Sequence, residues 1–389
     1  MKKILTGRQA GMLLFISIIS LKFLVFPALI TTYARRDAYI SIFVSLTIEF
    51  AIIAIILLFI NRYPNVTFKQ AISMCFGKVV AKIIYVILFV YFFSKTLFLI
   101  KETHNYFLEV IFDSLPWFFF TMPLSVFICY VMSKSIKSMA RSMEIMFWII
   151  IVCVGATTLA PLHRIDILNI FPMLENGVKP AIDGIIYSSF SFGDFIVLLL
   201  FMGKINIENG AIKKIFWYAF GCVIFVTIFY VVFVAIFDNS GVKHISALSD
   251  ISVRSSYPYT QEKLDWLAVL IWTIILLFQV GVYATLTKDC LNEVICFKFK
   301  AVSIGIIAGA LFIASLFLYL NLELIVKVIS SVPFVASVIS IHILLAVVFV
   351  LVFVILHFKH LKPNKVTNNL KHKCNIVGSS AVGDVWKCV

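Results

Sequence analysis

Four ionisable residues, Lys22, Glu49, Lys95 and Asp194, lie inside long apolar stretches of this 389-residue chain. A charge at the centre of a bilayer costs about 2.5–3.5 kcal/mol on insertion scales, so such residues need a partner or a function. Two are cations and two are anions, so the set can be neutral as a whole. A lysine and a carboxylate in one site match the two charges of a zwitterion such as an amino acid. The alternative, that Lys22 and Asp194 only neutralise each other, stays open on the sequence alone.

Depth within the apolar stretches distinguishes these four residues. Lys22, Glu49 and Asp194 fall near the middle of their stretches. Lys95 is closer to an outer end, where it is expected either to take part in coupling or to snorkel to the surface. Glu49 has two interpretations: a structural ion pair or hydrogen-bonded acid between helices, or a role in ligand binding or coupling.

Two further groups of residues have alternative interpretations. The sequence Lys-Glu-Thr-His at 101–104, continuing to Glu109 and Asp113, is interpreted as a solvated helix end, with a proton relay as the alternative. Trp272 lies inside an apolar stretch, where it either packs in the core or lines a cavity.

The composition identifies the setting of these residues as a membrane. The chain is 62% hydrophobic and 13% charged, against about 45–50% and 25% in soluble domains. Too few polar residues remain to cover a soluble fold, and disorder needs the opposite composition. We therefore predict an all-α polytopic membrane protein, with a transmembrane domain over residues 1–358. Its ten predicted spans cover roughly residues 9–33, 39–61, 79–103, 116–132, 143–160, 182–203, 212–237, 264–287, 301–320 and 332–357.

The formal net charge of +14 is explained by insertion into a membrane. With the N-terminus inside, 22 of the 33 Lys and Arg residues fall in predicted cytoplasmic segments, as the positive-inside rule requires. Both termini are then cytoplasmic, and residues 359–389 are expected to form a disordered cytoplasmic tail. No basic motif typical of nucleic-acid binding is present. We therefore predict that the chain contacts the lipid bilayer and does not bind nucleic acid.

Polar residues interrupt two of the ten predicted spans at corresponding positions. Span one carries Ser17, Ser20 and Lys22 and then Pro27, and span six carries a polar stretch over 188–194. When ten spans divide as five plus five, spans one and six correspond. Interrupted helices in corresponding positions are the sequence sign of an inverted-repeat binding site. We predict a cavity between spans one, three, six and eight. Its predicted ligand-binding residues are Ser17, Ser20, Lys22, Ser191, Phe192, Gly193, Asp194 and Trp272, with Glu49 and Lys95 as coupling charges.

Sequence signatures of catalysis are missing from the chain. It has no phosphate-binding Gly-rich loop, no His-Glu-x-x-His and no Gly-x-Ser-x-Gly, and its Cys and His residues lack metal-ligand spacing. We therefore predict no enzymatic activity, no metal and no cofactor, with an intramembrane enzyme as a remote alternative.

Several short motifs, in order along residues 5–357, resemble a known family. They are Thr6-Gly7-Arg8-Gln9 leading to Phe26-Pro27, then Arg36-Asp37-Ala38-Tyr39-Ile40-Ser41, Arg62-Tyr63-Pro64 with Gly77-Lys78, Asn169 to Pro180, Ser191-Phe192-Gly193-Asp194, and Lys263-Leu264-Asp265 with Trp272. Together they resemble the endospore germination permeases, the B subunits of germinant receptors, within the amino acid–polyamine–organocation transporter superfamily. The family usually has Glu where this chain has Asp194, and often has Gly near Ser20.

The resemblance implies a fold, a function and partners. The implied fold is LeuT-like, with broken helices one and six. The implied function is binding of a small nutrient germinant, typically an amino acid, in the inner membrane of a spore. Partner A subunits and lipoprotein C subunits would complete the receptor. Two alternatives from other classes remain: a proton-coupled amino acid secondary transporter, and a purely structural membrane scaffold.

Overall fold

The described part of the chain forms a helical bundle. The computed structural model describes residues 4–111, 114, 116–207, 210–254, 263–295, 300–321, 328 and 331–358, with only the backbone for 263–265 and 300. The predicted tail, 359–389, lies outside the described residues. The helices are α1 (Gly7–Lys22), α2 (Phe26–Ala34), α3 (Ala38–Arg62), α4 (Phe68–Phe76), α5 (Lys78–Val110), α6 (Trp117–Ser133), α7 (Ile136–Leu159), α8 (Val178–Tyr187), α9 (Phe195–Phe201), α10 (Ala211–Phe237), α11 (Ala247–Arg254), α12 (Lys263–Val294), α13 (Lys300–Leu320) and α14 (Val332–Phe358).

Length and apolar composition identify which described helices can cross a bilayer. Seven pass this test in the described part of the chain, and eight if the bent pair α8–α9 is one span. The helix α6 is apolar but shorter, with 17 residues. Helical segments lie at all ten ranges predicted from the sequence, although α5 and α12 extend seven residues past the predicted ends at 103 and 287. The protein is therefore a polytopic, all-α membrane protein.

The first predicted span is broken between α1 and α2. Regular helix ends at Lys22 and resumes at Phe26, with Phe23–Val25 in a turn. Pro27 explains the position of the break, because a proline has no N–H and its ring collides with the carbonyl four residues earlier, here that of Phe23. The carbonyl of Leu24 instead accepts a hydrogen bond from the N–H of Ala247, at the start of α11, over 3.3 Å. The break is thus tied to the segment between α10 and α12.

The sixth predicted span is broken between α8 and α9. The two helical pieces are bent by 52°, and Ser188–Asp194 between them form a short 3₁₀ turn followed by extended backbone at Phe192. Gly193 has φ +89°, and a Cβ there would overlap the ring of His342 and the hydroxyl of Tyr91. Only glycine combines this backbone angle with such a close approach. Both interruptions predicted from the sequence are therefore present.

Ion pairs group the connecting segments into two faces of the bundle. On one face Lys69 pairs with Glu293 at 2.7 Å and Lys204 with Asp289 at 2.9 Å. On the opposite face Arg36 pairs with Asp238 at 2.5 Å. We call these the inner and outer faces, after the orientation predicted from the sequence. Arg36 is one of the basic residues outside the predicted cytoplasmic segments, and the pairing with Asp238 compensates its charge.

A two-residue parallel ladder joins the two broken spans at the inner face. Leu5–Thr6 (β1) pairs with Ile205–Asn206 (β2). The side chain of Thr6 caps α1 by accepting a hydrogen bond from the N–H of Gln9. The side-chain oxygen of Gln9 in turn accepts one from the N–H of Thr6. Such a capping box fixes where a helix starts. The start of α1 is thereby held against the chain that leaves α9.

Candidate functional site

Lys22 and Asp194 meet where the two broken spans face each other. Lys22 is the last residue of α1, and Asp194 immediately precedes α9. The Lys22 Nζ lies 2.6 Å from Asp194 Oδ2 and donates over 2.9 Å to the carbonyl of Ser191. Glu49 Oε2, from α3, lies 4.0 Å from the same ammonium. These side chains are 1–4% exposed, so the charges are compensated inside the protein and not by solvent.

Polar side chains of α12 and the end of the break hold the two carboxylates. Tyr283 donates its hydroxyl to Asp194 Oδ1 over 2.5 Å. The N–H of Phe195, at the first turn of α9, donates to Glu49 Oε1 over 3.1 Å. Gln279 donates to Tyr283 Oη over 3.2 Å and to the carbonyl of Ser17 over 2.8 Å. A buried charge is tolerated when paired and hydrogen-bonded, and both carboxylates meet that condition.

Lys95 joins the same cluster through the carbonyl of Phe192. Its Nζ donates to that carbonyl over 3.0 Å, and Tyr91 donates to it over 3.1 Å. The hydroxyl of Tyr91 also lies 3.1 Å from Nε2 of His342 on α14. Lys95 is 1% exposed, so the alternative that it snorkels to the surface is wrong. The reason is that α5 continues to Val110, which places Lys95 at the middle of that helix.

Several buried polar atoms in this cluster have no hydrogen-bond partner within the described part of the protein. They are the hydroxyls of Ser20, Ser189 and Ser191, Oε2 of Glu49 and Oε1 of Gln279. Buried polar groups are satisfied in the large majority of cases, so each exception requires an explanation. Unused donors and acceptors beside two opposite charges provide hydrogen-bonding capacity for a small polar ligand or for water.

The predicted ligand-binding residues occupy different places around the cluster. The hydroxyl of Ser17 donates to the carbonyl of Leu13, away from the cluster. Only the backbone carbonyl of Ser17 takes part in the cluster, by accepting a hydrogen bond from Gln279. The ring of Phe192 lies 5.1 Å from the Lys22 ammonium, within cation–π range. Trp272 is fully buried and packs edge-on against Tyr106, with ring centroids 6.4 Å apart. It precedes Gln279 by two turns, so it belongs to the packing on the outer side of the cluster. The motif residues Lys263-Leu264-Asp265 have no described side chains.

Four residues of the cluster were not predicted from the sequence: Tyr91, Gln279, Tyr283 and His342. A partial signal was present, since Gln279 and Tyr283 are four residues apart and so share one face of α12, as Tyr91 and Lys95 do on α5. His342 lies in the middle of the long apolar run of α14, whose other histidine, His357, lies in its last turn. Spans two and ten therefore contribute to the cluster, through Glu49 and His342, beside the predicted spans one, three, six and eight.

The outer part of α5 packs against α6, α11 and α13 and does not end in solvent at residues 101–104. Glu102 and His104 are each 5% exposed, so the prediction of a solvated helix end at 101–104 is wrong. The reason is again the extension of α5, whose outer turns pack against other helices. The ring of His104 lies 5.4 Å from that of Phe120 on α6 and 5.9 Å from that of Tyr319 on α13. Tyr106 lies 2.9 Å from the hydroxyl of Ser249 on α11, and Ser246, just before α11, donates to Glu109 over 2.6 Å. The predicted continuation to Asp113 lies outside the described residues.

An acidic group on α11 has a shifted protonation equilibrium. Burial and the charge of Glu109 raise the pKa of Asp250 to about 7, with Arg254 opposing the shift. Burial and Arg254 lower the pKa of His244. The imidazole is therefore neutral at pH 7, and its 3.2 Å contact with Asp250 is not an ion pair at that pH.

The helical bundle, the two broken spans and the buried charges define a polytopic membrane protein with a buried polar site. The chain belongs to the family of spore germination proteins, because the family model with that description, Spore_permease, matches residues 4–323. The match covers the helices from α1 to α13 and ends before α14. A search of curated proteins finds no match to the chain. The protein is therefore a germination-related membrane protein.

Proposed function

We propose that this protein is the membrane subunit of a spore germinant receptor, which binds a small nutrient and triggers germination together with partner subunits. The observation that carries the proposal is the Lys22–Asp194 pair at the junction of the two broken spans. Family membership supports the connection to germination. The germinant site would lie around Lys22, Asp194 and the serine hydroxyls that have no partner.

A zwitterionic amino acid fits the charges of this site. The Lys22 ammonium has three donors, of which Asp194 and the Ser191 carbonyl use two. A ligand carboxylate would replace Asp194 as the partner of Lys22. A ligand ammonium would then pair with Asp194, with Glu49 Oε2 as a further acceptor. The cluster remains neutral in this exchange, so no net charge is buried.

Binding would act as a signal by favouring one arrangement of the broken spans over another. A ligand shifts a conformational equilibrium only by its difference in affinity for the two states. In the described conformation the ion pair occupies the charges that the ligand would need. Ligand binding therefore favours a state in which Lys22 and Asp194 are separated. Partner A and C subunits, in the spore inner membrane, would respond to that state.

The proposed architecture is a LeuT-like bundle of ten spans, with five plus five helices and breaks in spans one and six. Both termini would lie in the cytoplasm. Lys69, Lys204 and Arg8 form ion pairs on one face of the bundle. All three come from segments predicted to lie inside, which supports this arrangement. On the opposite face the positive charge of Arg36 is paired with Asp238, which agrees with it.

The experiment that tests the receptor function is a germinant panel on spores carrying Asp194→Asn. Loss or at least tenfold weakening of the response to one amino acid germinant, at a normal level of the protein, is the expected result. Asp183→Asn is the matched control, because Asp183 lies on α8 of the same broken span and is partly exposed. Unchanged sensitivity of the Asp194→Asn spores to every germinant would overturn the site assignment.

A secondary transporter is the second candidate function. The observation favouring it is the set of proton-accepting groups that meet at Asp194, Glu49 and the Tyr91–His342 contact, which is the kind of arrangement found in proton relays. Uptake of a labelled amino acid into vesicles containing this chain alone, driven by a pH gradient, would support transport. Absence of uptake, with ligand binding only in the presence of partner subunits, would support the receptor.

A further inference from the structure

A groove lies between α3 and α10 at the inner face. Its volume is about 480 Å³, within the range of about 300–1,000 Å³ that is usual for small-molecule sites. The polar side chains that line it, Asn61 and Lys213, lie at its inner end, and none of its ten described lining residues is acidic. The rest of the lining is apolar. It consists mainly of Leu57, Leu58, Ile207, Ile212 and Phe216.

Aromatic rings close the groove at mid-depth, and small residues keep it open below them. The ring of Phe50, on α3, lies 5.1 Å from that of Phe216 and 5.8 Å from that of Phe220, both on α10. One turn closer to the inner face, Ala54 on α3 and Ala211 at the start of α10 each provide only a methyl group. The two helices therefore pack tightly in the middle and leave a space between their inner ends.

The groove opens sideways, at the level where acyl chains meet headgroups. It extends from Ala54 to Asn61, two turns of α3 or about 10 Å. Leu58, between them, is 60% exposed. Trp217, one turn of α10 beyond Lys213, is 55% exposed, and tryptophan is enriched at membrane interfaces. Lys213 therefore lies at headgroup level on the inner face, with the apolar part of the groove beside the acyl chains.

Two basic side chains at the inner end of the groove are available to an anion. Lys213 lines the groove, and Arg62 follows Leu58 by one turn, which places it on the same side of α3. Both are exposed, and neither forms an ion pair within the described residues. By contrast, Lys69 and Lys204 on the same face are paired with acidic side chains. An apolar slot thus ends in positive charge.

We propose that this groove binds one anionic phospholipid of the inner leaflet. One acyl chain would lie along Leu57, Leu58 and Phe216, where it gains dispersion contacts. The phosphate would pair with Lys213 and Arg62, since basic pockets between membrane helices on the cytoplasmic side bind acidic headgroups. A zwitterionic lipid with the same chains brings its own cation beside these two side chains. The site therefore prefers a headgroup with a net negative charge.

The bound lipid would contact the chain that leaves the second broken span. Ile207 lies between β2 and α10, so it belongs to the connection from the inner half of that span to α10. The opposite wall is α3, on which Ala54 lies five residues, about 7.5 Å, from Glu49. A lipid that touches both walls favours the described arrangement over one in which they separate. This inference does not depend on which ligand the Lys22–Asp194 site binds.

The test is thermal unfolding of the full chain in one uncharged detergent, with phosphatidylglycerol or phosphatidylcholine of identical chains added. A ligand that binds only the folded state raises the melting temperature in a saturable way. We expect this rise for phosphatidylglycerol in the wild type. Lys213→Met should need about fivefold more lipid for half the rise, because one lysine near an anionic headgroup contributes about that factor in affinity. Ala54→Phe, which fills the groove, should lose the saturable rise.

Matched controls stand beside both variants. Lys214→Met removes the same charge from the neighbouring exposed residue, which does not line the groove, and Ala51→Phe adds the same ring to an exposed position of α3 outside it. Both should keep the wild-type half-point.

Three results would overturn the proposal. Equal shifts in Lys213→Met and Lys214→Met would mean that the lipid responds only to overall charge. An equal rise with phosphatidylcholine would mean that the headgroup charge is not recognised. An equal rise with glycerol phosphate, which has no acyl chain, would assign the basic side chains to a soluble phosphate ester. None of these results depends on the response of Asp194→Asn spores.

Discussion

Substituting Lys22 and Asp194 together should destabilise the protein less than the sum of the two single substitutions. Lys22→Met leaves Asp194 and Glu49 with one fewer buried cation, and Asp194→Asn leaves Lys22 with only Glu49. Removing one partner of a buried ion pair costs about 3–5 kcal/mol, because the other charge stays buried and uncompensated. The double variant keeps one buried cation, Lys95, and one buried anion, Glu49, so it buries no net charge.

The geometry ranks the two single variants. At equal dielectric the Coulomb attraction varies inversely with distance, so Asp194 at 2.6 Å attracts Lys22 about 1.5-fold more strongly than Glu49 at 4.0 Å. Asp194→Asn therefore removes the stronger partner of Lys22 but leaves the weaker one, and its cost is expected near about 3 kcal/mol. Lys22→Met leaves two carboxylates with Lys95 as the nearest cation, and its cost is expected near the upper end, about 5 kcal/mol.

A double-mutant cycle measures the interaction directly. The free energy of unfolding of the wild type, both single variants and the double variant is obtained from denaturant titrations in one detergent. We expect a coupling energy of about 2–3 kcal/mol, the upper range for residues in contact. Asp183→Asn combined with Lys22→Met is the control, for which the two costs should add. Additive costs for Lys22→Met and Asp194→Asn would refute the ion pair as a stabilising contact.

Three further predictions follow from other contacts. Gly193→Ala should destabilise the fold by about 1 kcal/mol or more, because of its positive φ and the overlap with His342, and His342→Ala in the same chain should recover part of the loss in unfolding experiments. Because the pKa of Asp250 is raised to about 7, the contact of α11 with α5 should weaken as pH rises from about 4 to 7. Amide exchange over residues 247–254 measures this effect. The difference in exchange rate between wild type and Asp250→Asn should grow over this pH window, and no growth would contradict the shift. Thr67→Ala should cost about 1 kcal/mol of unfolding free energy by removing the capping box of α4, whereas Thr67→Ser should cost little.

The sequence predicts the helices and the two breaks because both have local causes. Apolar length marks a span, and Pro27 or the serine-rich stretch around Gly193 marks an interruption. The depth of a residue within a span is also local, and this is why Lys22, Glu49 and Asp194 could be placed near mid-membrane. The structure then brings these three together with Lys95, as their shared depth and opposite charges favour.

The contacts of the site could not be predicted in the same way. Depth along a helix does not give its rotation, and only rotation decides that Tyr283 reaches Asp194 while Trp272 packs on Tyr106. Helix ends were also uncertain, because apolar character stops before helical hydrogen bonding does. The missed extension of α5 to Val110 placed Lys95 too near the surface and made Glu102 and His104 seem solvated.

The short ladder between Leu5–Thr6 and Ile205–Asn206 has a mechanical consequence. The hydrogen bonds from the N–H groups of Ile4 and Leu5 to the carbonyl of Lys204 extend it, and Gly7 lies against Ala211 too closely for any side chain. The inner halves of the two broken spans are thus joined at their ends. We therefore expect them to move together as one rigid unit about the unwound residues. A bulky addition before Ile4 would disturb the hydrogen bonds of this ladder, so tags used to study this protein belong elsewhere on the chain.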